Sequence, residues 1–108
     1  MDAEMEEVIT TIIASAGDAR SLAMEAMATA RDEGDIPGAQ DLLAQAQVSI
    51  LGAHKAQMDL IVKEARGERQ DVSLLMVHAQ DHVMCTMAVM DLAAEIVNLY
   101  GRTAHNEG

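Results

Sequence analysis

The chain has 108 residues, half of them hydrophobic, and a formal net charge of −11. This length suits one domain, and the hydrophobic content is sufficient for a folded core. The negative charge argues against binding to nucleic acid or to an anionic membrane surface, because both require clustered lysine and arginine. Tyr100 is the single aromatic residue, so the core must consist of small aliphatic side chains and methionine, and an oligomer would enlarge it.

The location of the protein is predicted from its cysteine content and its N-terminus. Cys85 is the single cysteine, so no intrachain disulfide is possible, which fits a reducing compartment. Four of the first seven residues are acidic, the opposite of the basic start of a signal peptide. No uninterrupted apolar run approaches the roughly 18 residues that a membrane span needs. We therefore expect a cytoplasmic protein that does not insert into a membrane.

Residues 3–33 are predicted to form the first helix. Apolar residues recur at intervals of three and four along this segment, first as large side chains and then mainly as alanine. Small side chains allow a neighbouring helix to approach closely. Gly17 interrupts the pattern and costs about 1 kcal/mol relative to alanine, so we expect a kink or a short break there.

Residues 36–66 are predicted to form the second helix. Gly34 suits the left-handed residue that follows a helix, Asp35 can cap the next one, and Pro37 fits its first turn. The inner apolar stripe of this helix includes His54, which we interpret as a hydrogen-bonded core residue. The connector at 67–70 is short and polar, as in a turn between antiparallel helices.

Residues 71–100 are predicted to form the third helix, with Asp71 as its cap and residues 102–108 as a frayed tail. The helix is apolar on nearly all sides, and such a helix is normally buried on all sides. Two neighbouring helices cannot cover it, so we expect the antiparallel three-helix subunit of residues 1–101 to self-associate through this helix. Periodicity alone leaves open an assembly of three, six, nine or more helices.

Four polar or ionisable side chains interrupt the apolar sequence of the third helix: His78, Asp81, His82 and Cys85. Their spacing places all four on one stripe of the helix. Ionisable groups on a buried face require a compensating partner, a metal ion or a chemical role. They could be polar residues that fix helix register, or ligands of a metal in a His-x-x-Asp-His arrangement. They could also serve phosphoryl transfer, because an imidazole nitrogen can hold a phosphoryl group reversibly. The pattern alone does not separate these three interpretations.

A likeness to a known family separates them. Residues 77–84 read Val-His-Ala-Gln-Asp-His-Val-Met, preceded by Val-Ser-Leu-Leu at 72–75 and followed by Asp-Leu-Ala-Ala-Glu at 91–95. Residues 15–23 read Ser-Ala-Gly-Asp-Ala-Arg-Ser-Leu-Ala. With the three-helix order and the total length, these motifs resemble the lactose/cellobiose class of enzyme IIA of the bacterial sugar phosphotransferase system. The sequence departs from the family pattern at Val83, where leucine is usual, and at Cys85, where threonine is usual.

The resemblance implies an all-α fold in which three subunits form a homotrimeric nine-helix bundle. It implies a phosphotransferase component in which His78 accepts a phosphoryl group through Nε2 from phospho-HPr. The group then passes to a cysteine of enzyme IIB for uptake of a lactose-, cellobiose- or chitobiose-type disaccharide. It also implies that Asp81 faces the trimer axis, where three carboxylates share a divalent metal, taken as Mg²⁺.

Several assignments remain open at this stage. His82 lies one turn from His78 and is assigned a supporting role, and Gln80 points away from that face, where a partner subunit is one possible contact. A histidine phosphotransfer module of a two-component signalling pathway is the alternative function, although such modules are usually four-helix bundles with a lysine near the histidine. A structural oligomer with a metal in its core is a third hypothesis.

Overall fold

The computed structural model describes residues 3–107, with side chains up to residue 103, and contains three long helices. They are α1 (Ala3–Glu33), α2 (Ile36–Ala65) and α3 (Leu74–Glu107). A helix of 30 residues is about 45 Å long, and the chain measures 57 × 23 × 20 Å. The helices therefore lie side by side and alternate in direction. The predicted all-α three-helix subunit is confirmed, and residues 1, 2 and 108 lie outside the described residues.

Both connections contain a glycine in the left-handed region. Gly34 has φ +66° and its N–H donates to the Ala30 carbonyl at 3.2 Å, which ends α1. The Asp35 carboxylate accepts a hydrogen bond from the Gly38 N–H at 3.0 Å and caps α2. Gly67 has φ +90° and lies in the turn directly after α2, at the start of the second connection. The chain therefore reverses direction between helices at glycine and capping residues that can be recognised in the sequence.

The ends of α3 differ from the prediction. Its cap is Ser73 instead of Asp71, because the Ser73 hydroxyl accepts a hydrogen bond from the Met76 N–H at 3.1 Å. The helix also continues past Gly101 to Glu107. Gly101 does not adopt positive φ, and the Thr103 hydroxyl donates to the Leu99 carbonyl at 3.0 Å within the continuing helix. Gly101 therefore does not form the left-handed C-terminal cap that a glycine often provides.

Alanine gives α1 its close contacts with the other two helices. Helix α1 runs through Gly17 without the predicted break. Its buried face carries alanine at five positions after two large isoleucines. These buried residues are Ile9, Ile12, Ala16, Ala19, Ala23, Ala26 and Ala30. Small side chains on α1 let α2 and α3 pack close to its axis, so α1 organises the subunit.

Large apolar residues remain exposed in two rows. The α3 stripe consists of Leu74, Val77, Asp81, Met84, Ala88, Leu92 and Leu99. The α2 stripe consists of Val48, Leu51, Lys55, Met58 and Val62. Leu92 is 63% exposed and Val48 is 70% exposed, values far from those of a core side chain. Exposed apolar stripes of this length are typical of surfaces that bind another protein, a membrane or a ligand.

Helix α3 also meets the length and composition of a membrane span over Leu74–Thr103. This differs from the expectation that no segment approaches a span, because that expectation considered only uninterrupted apolar runs. The core helix of a soluble protein passes the same test. The segment also includes His78, Asp81 and His82, and such side chains are costly in lipid, which disfavours a membrane span.

A buried hydroxyl on α3 gives a stability prediction. Thr86 is fully buried, and its Oγ1 has no hydrogen-bond partner among the described residues. The Thr86→Val variant keeps the shape and removes the desolvated hydroxyl, so we expect the free energy of unfolding to rise by about 1 kcal/mol. Urea denaturation measures this change. Thr103→Val is the control, because Thr103 is exposed and hydrogen-bonded, and an equal gain there would show that the buried hydroxyl is not the cause.

Candidate functional site

The structure places His78, Asp81, His82 and Cys85 along one side of α3. In the single chain this side is open: His78, Asp81 and Cys85 are exposed, and His82 is half-buried. The expectation that these groups lie on a buried face is therefore wrong for one chain alone. The physical reason is that α1 and α2 cover only the opposite side of α3, as anticipated from its apolar surface.

The two imidazoles form a parallel pair. The rings of His78 and His82 have centroids 6.2 Å apart and an interplanar angle of 4°. One helical turn separates the residues, so both rings project from the same side of α3 and the helix sets their spacing. The distance lies within the range of offset aromatic pairs. This geometry holds one exposed imidazole in a defined orientation next to a second one.

The inner imidazole, that of His82, lies against α1 at Gly17. A Cβ atom at Gly17 would lie 3.7 Å from His82 Nε2, so this nitrogen faces the backbone of α1. The kink predicted at Gly17 is absent, and a Cβ atom here would make an ordinary van der Waals contact with the ring. The two histidines consequently differ. The His78 side chain is exposed in the single chain, whereas Nε2 of His82 is directed at α1 of its own subunit.

Gln80 is bonded within its own chain. Its Oε1 accepts a hydrogen bond from Gln57 Nε2 at 2.6 Å, and its Nε2 contacts the Met76 Sδ at 3.7 Å. The bond from Gln57 joins α2 to α3 between His78 and Asp81. It borders a cavity of about 290 Å³ between these helices, which Asp81 also lines. Sequence reasoning had left Gln80 open to a partner subunit and had not singled out Gln57.

Asp81 is the residue considered for a metal ion. Within the part of the chain that the structure describes, no group of three or more His, Cys, Asp or Glu side chains is placed to hold a metal. Asp81 lies exposed in the α3 stripe between Val77 and Met84. One chain thus offers one carboxylate to an ion, and a site for Mg²⁺ would need carboxylates from further copies.

The arrangement suits nucleophilic chemistry at an exposed nitrogen. A neutral imidazole has one nitrogen with a free lone pair, which can attack phosphorus and form a reversible N–P bond. His78 is exposed enough for two partner proteins to reach it in turn. A separate substrate pocket is unnecessary for this chemistry, because the donor and the acceptor each bring their own reactive group.

Comparisons with known proteins agree with this geometry. Residues 7–101 match the family profile described as "PTS system, Lactose/Cellobiose specific IIA subunit". The chain is 46% identical over 108 residues to the lichenan-specific phosphotransferase enzyme IIA component of Bacillus subtilis, covering 100% of this chain and 97% of that protein. It is 38% identical over 97 residues to the N,N'-diacetylchitobiose-specific EIIA component of Escherichia coli K12, covering 90% and 83%.

A solved structure shows the same fold. The cellobiose-specific enzyme IIA of Bacillus anthracis superposes with a TM-score of 0.90 at 39% identity, covering 100% of this chain and 97% of that one. These findings support a phosphotransferase component and give no support to a two-component signalling module. The chain belongs to the lactose/cellobiose-specific enzyme IIA family, the soluble phosphoryl carriers of sugar phosphotransferase systems that work with HPr and enzyme IIB.

Proposed function

We propose that His78 is the residue that carries the phosphoryl group, through Nε2, and that His82 supports it. The observation that carries this proposal is the difference between the two imidazoles, since His78 is exposed whereas Nε2 of His82 faces Gly17 of α1. The parallel stacking holds the His78 ring in one orientation. Orientation of a reacting group lowers the entropic cost of an encounter with a partner protein.

The proposed reaction has two in-line transfers. The lone pair of His78 Nε2 attacks phosphorus on phospho-HPr, an N–P bond forms, and the bond between phosphorus and HPr breaks. A cysteine thiolate of enzyme IIB then attacks the same phosphorus, and the N–P bond to His78 breaks. In this proposal the second imidazole, that of His82, helps to stabilise charge on the phosphoryl oxygens, and such stabilisation is the main contribution that a protein makes to phosphoryl transfer.

Intact mass spectrometry tests the proposed transfer. The protein is incubated with phosphoenolpyruvate, enzyme I and HPr, and the control reaction omits HPr. We expect a gain of roughly 80 Da, one HPO₃ per chain, that requires HPr and disappears when enzyme IIB is added. No gain with the complete system would refute the carrier function, and a gain from a response-regulator donor without HPr would favour the signalling alternative.

The assembly that we propose is a homotrimer with α3 near the three-fold axis. This proposal is supported by the exposed α2 and α3 stripes, which the other helices of the same chain do not cover. Burial of such stripes between copies is the simplest way to remove them from water, and a closed symmetric assembly leaves none exposed. Three subunits of three helices give the nine-helix bundle.

We propose that Asp81 of three subunits meets at this axis and holds one divalent cation, Mg²⁺ being the candidate. Three like charges at an axis repel unless they share a cation or protons. Oxygen ligands from carboxylates and water are those that Mg²⁺ prefers. The ion would stabilise the assembly, and no step of the phosphoryl transfer depends on it.

Replacement of Asp81 tests the metal. In Asp81→Leu the like-charge repulsion disappears, so we expect the trimer to be as stable as the wild type or more stable, by up to about 4 kcal/mol. Its melting temperature should no longer change with EDTA or added Mg²⁺, while phosphoryl uptake persists. Asp91→Leu is the matched control on the same helix. A response to EDTA that survives in Asp81→Leu would place the cation elsewhere.

We further propose that the transported sugar is a β-linked oligosaccharide of the kind that the relatives' names indicate. Those names specify lichenan, N,N'-diacetylchitobiose and cellobiose. The IIA subunit passes phosphate to a protein and does not contact sugar, so the choice among these sugars belongs to the other subunits. Growth on each sugar after deletion of the encoding gene separates them.

A further inference from the structure

Gln57 is a polar side chain inside an apolar face of α2. It is 6% exposed and follows Ala46, Ile50 and Ala53 on the buried side of that helix. A buried amide costs free energy unless it is hydrogen-bonded. Its Nε2 donates to Gln80 Oε1 at 2.6 Å, across the α2–α3 interface. The bond reaches Gln80, which lies two residues after His78 and directly before Asp81.

Apolar packing between α2 and α3 is incomplete beside this bond in the single chain. Residues of both helices line the cavity of about 290 Å³, among them Leu60, Ile61, Met76 and Val77. Side chains that border open space make fewer dispersion contacts than those in a filled core. Within one subunit, apolar packing therefore fixes the spacing and rotation of α3 against α2 less tightly here, and the directional hydrogen bond adds a restraint.

We infer that Gln57 is a positioning residue for phosphoryl transfer and that it acts through Gln80. Residues 78–81 form one rigid helical turn, so the bond that holds Gln80 also sets the direction in which His78 and Asp81 project. The Met76 Sδ accepts from Gln80 Nε2, which leaves Gln80 Oε1 for Gln57. This inference rests on the proposed function, because it assigns Gln57 a role in reactions at His78.

A double-mutant cycle tests the inference. Gln57→Met, Gln80→Met and the double variant are compared with the wild type in single-turnover phosphoryl uptake at saturating phospho-HPr. We expect each single variant to react about tenfold more slowly, because small displacements of a reacting group have effects of this size or larger. The double variant should be no slower than Gln80→Met alone. A multiplied loss of about a hundredfold would show independent effects and overturn the inference.

Two further variants separate positioning from folding. Gln57→Glu keeps the length, and burial favours its protonated form, which can donate a hydrogen bond to Gln80 Oε1 as Gln57 does, so we expect at least half of the wild-type rate. Gln57→Asn is one methylene shorter and should lose about as much as Gln57→Met; it replaces that variant in the cycle if methionine prevents folding. Loss of rate in Gln57→Glu equal to that in Gln57→Asn would contradict the role.

Gln45→Met is the matched control, since Gln45 is an exposed glutamine of α2 whose side chain bonds to Asp41 of the same helix. It should retain the wild-type rate. The outcomes remain distinguishable from those of the proposed function. Wild-type protein that takes up no phosphate refutes the carrier function, whereas an active wild type with an equally active Gln57→Met refutes the positioning role alone.

Discussion

Replacement of His78 by alanine is expected to abolish phosphoryl uptake from phospho-HPr, with a fall in rate of at least about 10³-fold, as when other catalytic nucleophiles are removed. The exposed imidazole supplies the lone pair that attacks phosphorus when the group is taken from phospho-HPr in the proposed transfer. The surrounding fold should be unaffected, because His78 is exposed and no described hydrogen bond involves its side chain. Circular dichroism and the oligomeric mass should therefore match those of the wild type, while the 80 Da gain is absent.

His82→Ala is the informative partner of that variant. His82 is half-buried and its Nε2 faces Gly17, so the proposal assigns it support for the His78 ring or the phosphoryl group. Loss of one hydrogen bond to a charged group is worth about 1.5–3 kcal/mol, so we expect the rate to fall by about 10- to 150-fold with the mass gain retained. If the mass gain persisted in His78→Ala and disappeared in His82→Ala, the carrier residue would be His82, one helical turn away.

A charge placed in the α3 stripe is expected to dissociate the assembly. Met84 is 57% exposed in the single chain and lies one turn from Asp81. In the proposed trimer three copies of Met84 become buried, and each methionine contributes about 1.5–3 kcal/mol. Met84→Glu replaces this contribution with three unpaired carboxylates, each costing several kcal/mol to bury. Sedimentation equilibrium should show a monomer of 11.6 kDa in place of the trimer.

Thr11→Glu is the control for this prediction. Thr11 is exposed on α1, outside both apolar stripes, and its substitution adds the same charge. Its mass in solution should equal that of the wild type. If Met84→Glu retained the wild-type mass, the α3 stripe would not be the subunit interface, and the position proposed for Asp81 at the axis would fail with it.

Local sequence signals predicted most of the fold. Gly34, Asp35 and Pro37 mark the first turn because each acts through its own backbone geometry or cap, independently of distant residues. The ends of α3 were less predictable. Asp71 and Ser73 are both able to cap a helix. Which of them does so depends on the residue at which the helix begins, because the cap accepts a hydrogen bond from a free backbone N–H of the first turn. Gly101 ends a helix only if it adopts the left-handed conformation, which here it does not.

In the candidate site, too, local sequence signals predict some features, and others depend on how the helices pack. The motif at 78–82 places the two histidines one turn apart, so their pairing follows from helical periodicity alone. The environment of each ring depends on α1, and the sequence could not show that Gly17 lies opposite His82 instead of bending α1. Gln57 did carry a signal, because it continues a buried spacing of four, three and four from Ala46. Its partner Gln80 could be identified only once α2 and α3 were packed together.

The most direct measurement of the central claim is the site of the N–P bond in the phosphorylated wild-type protein. Histidine ¹H–¹⁵N correlation spectra before and after reaction with phosphoenolpyruvate, enzyme I and HPr identify the ring and the nitrogen that change. The account predicts that one ring changes, that of His78, with the phosphoryl group on Nε2, and that His82 shows only a small perturbation. A phosphoryl group on His82 or His54, or on Nδ1 of His78, would contradict it.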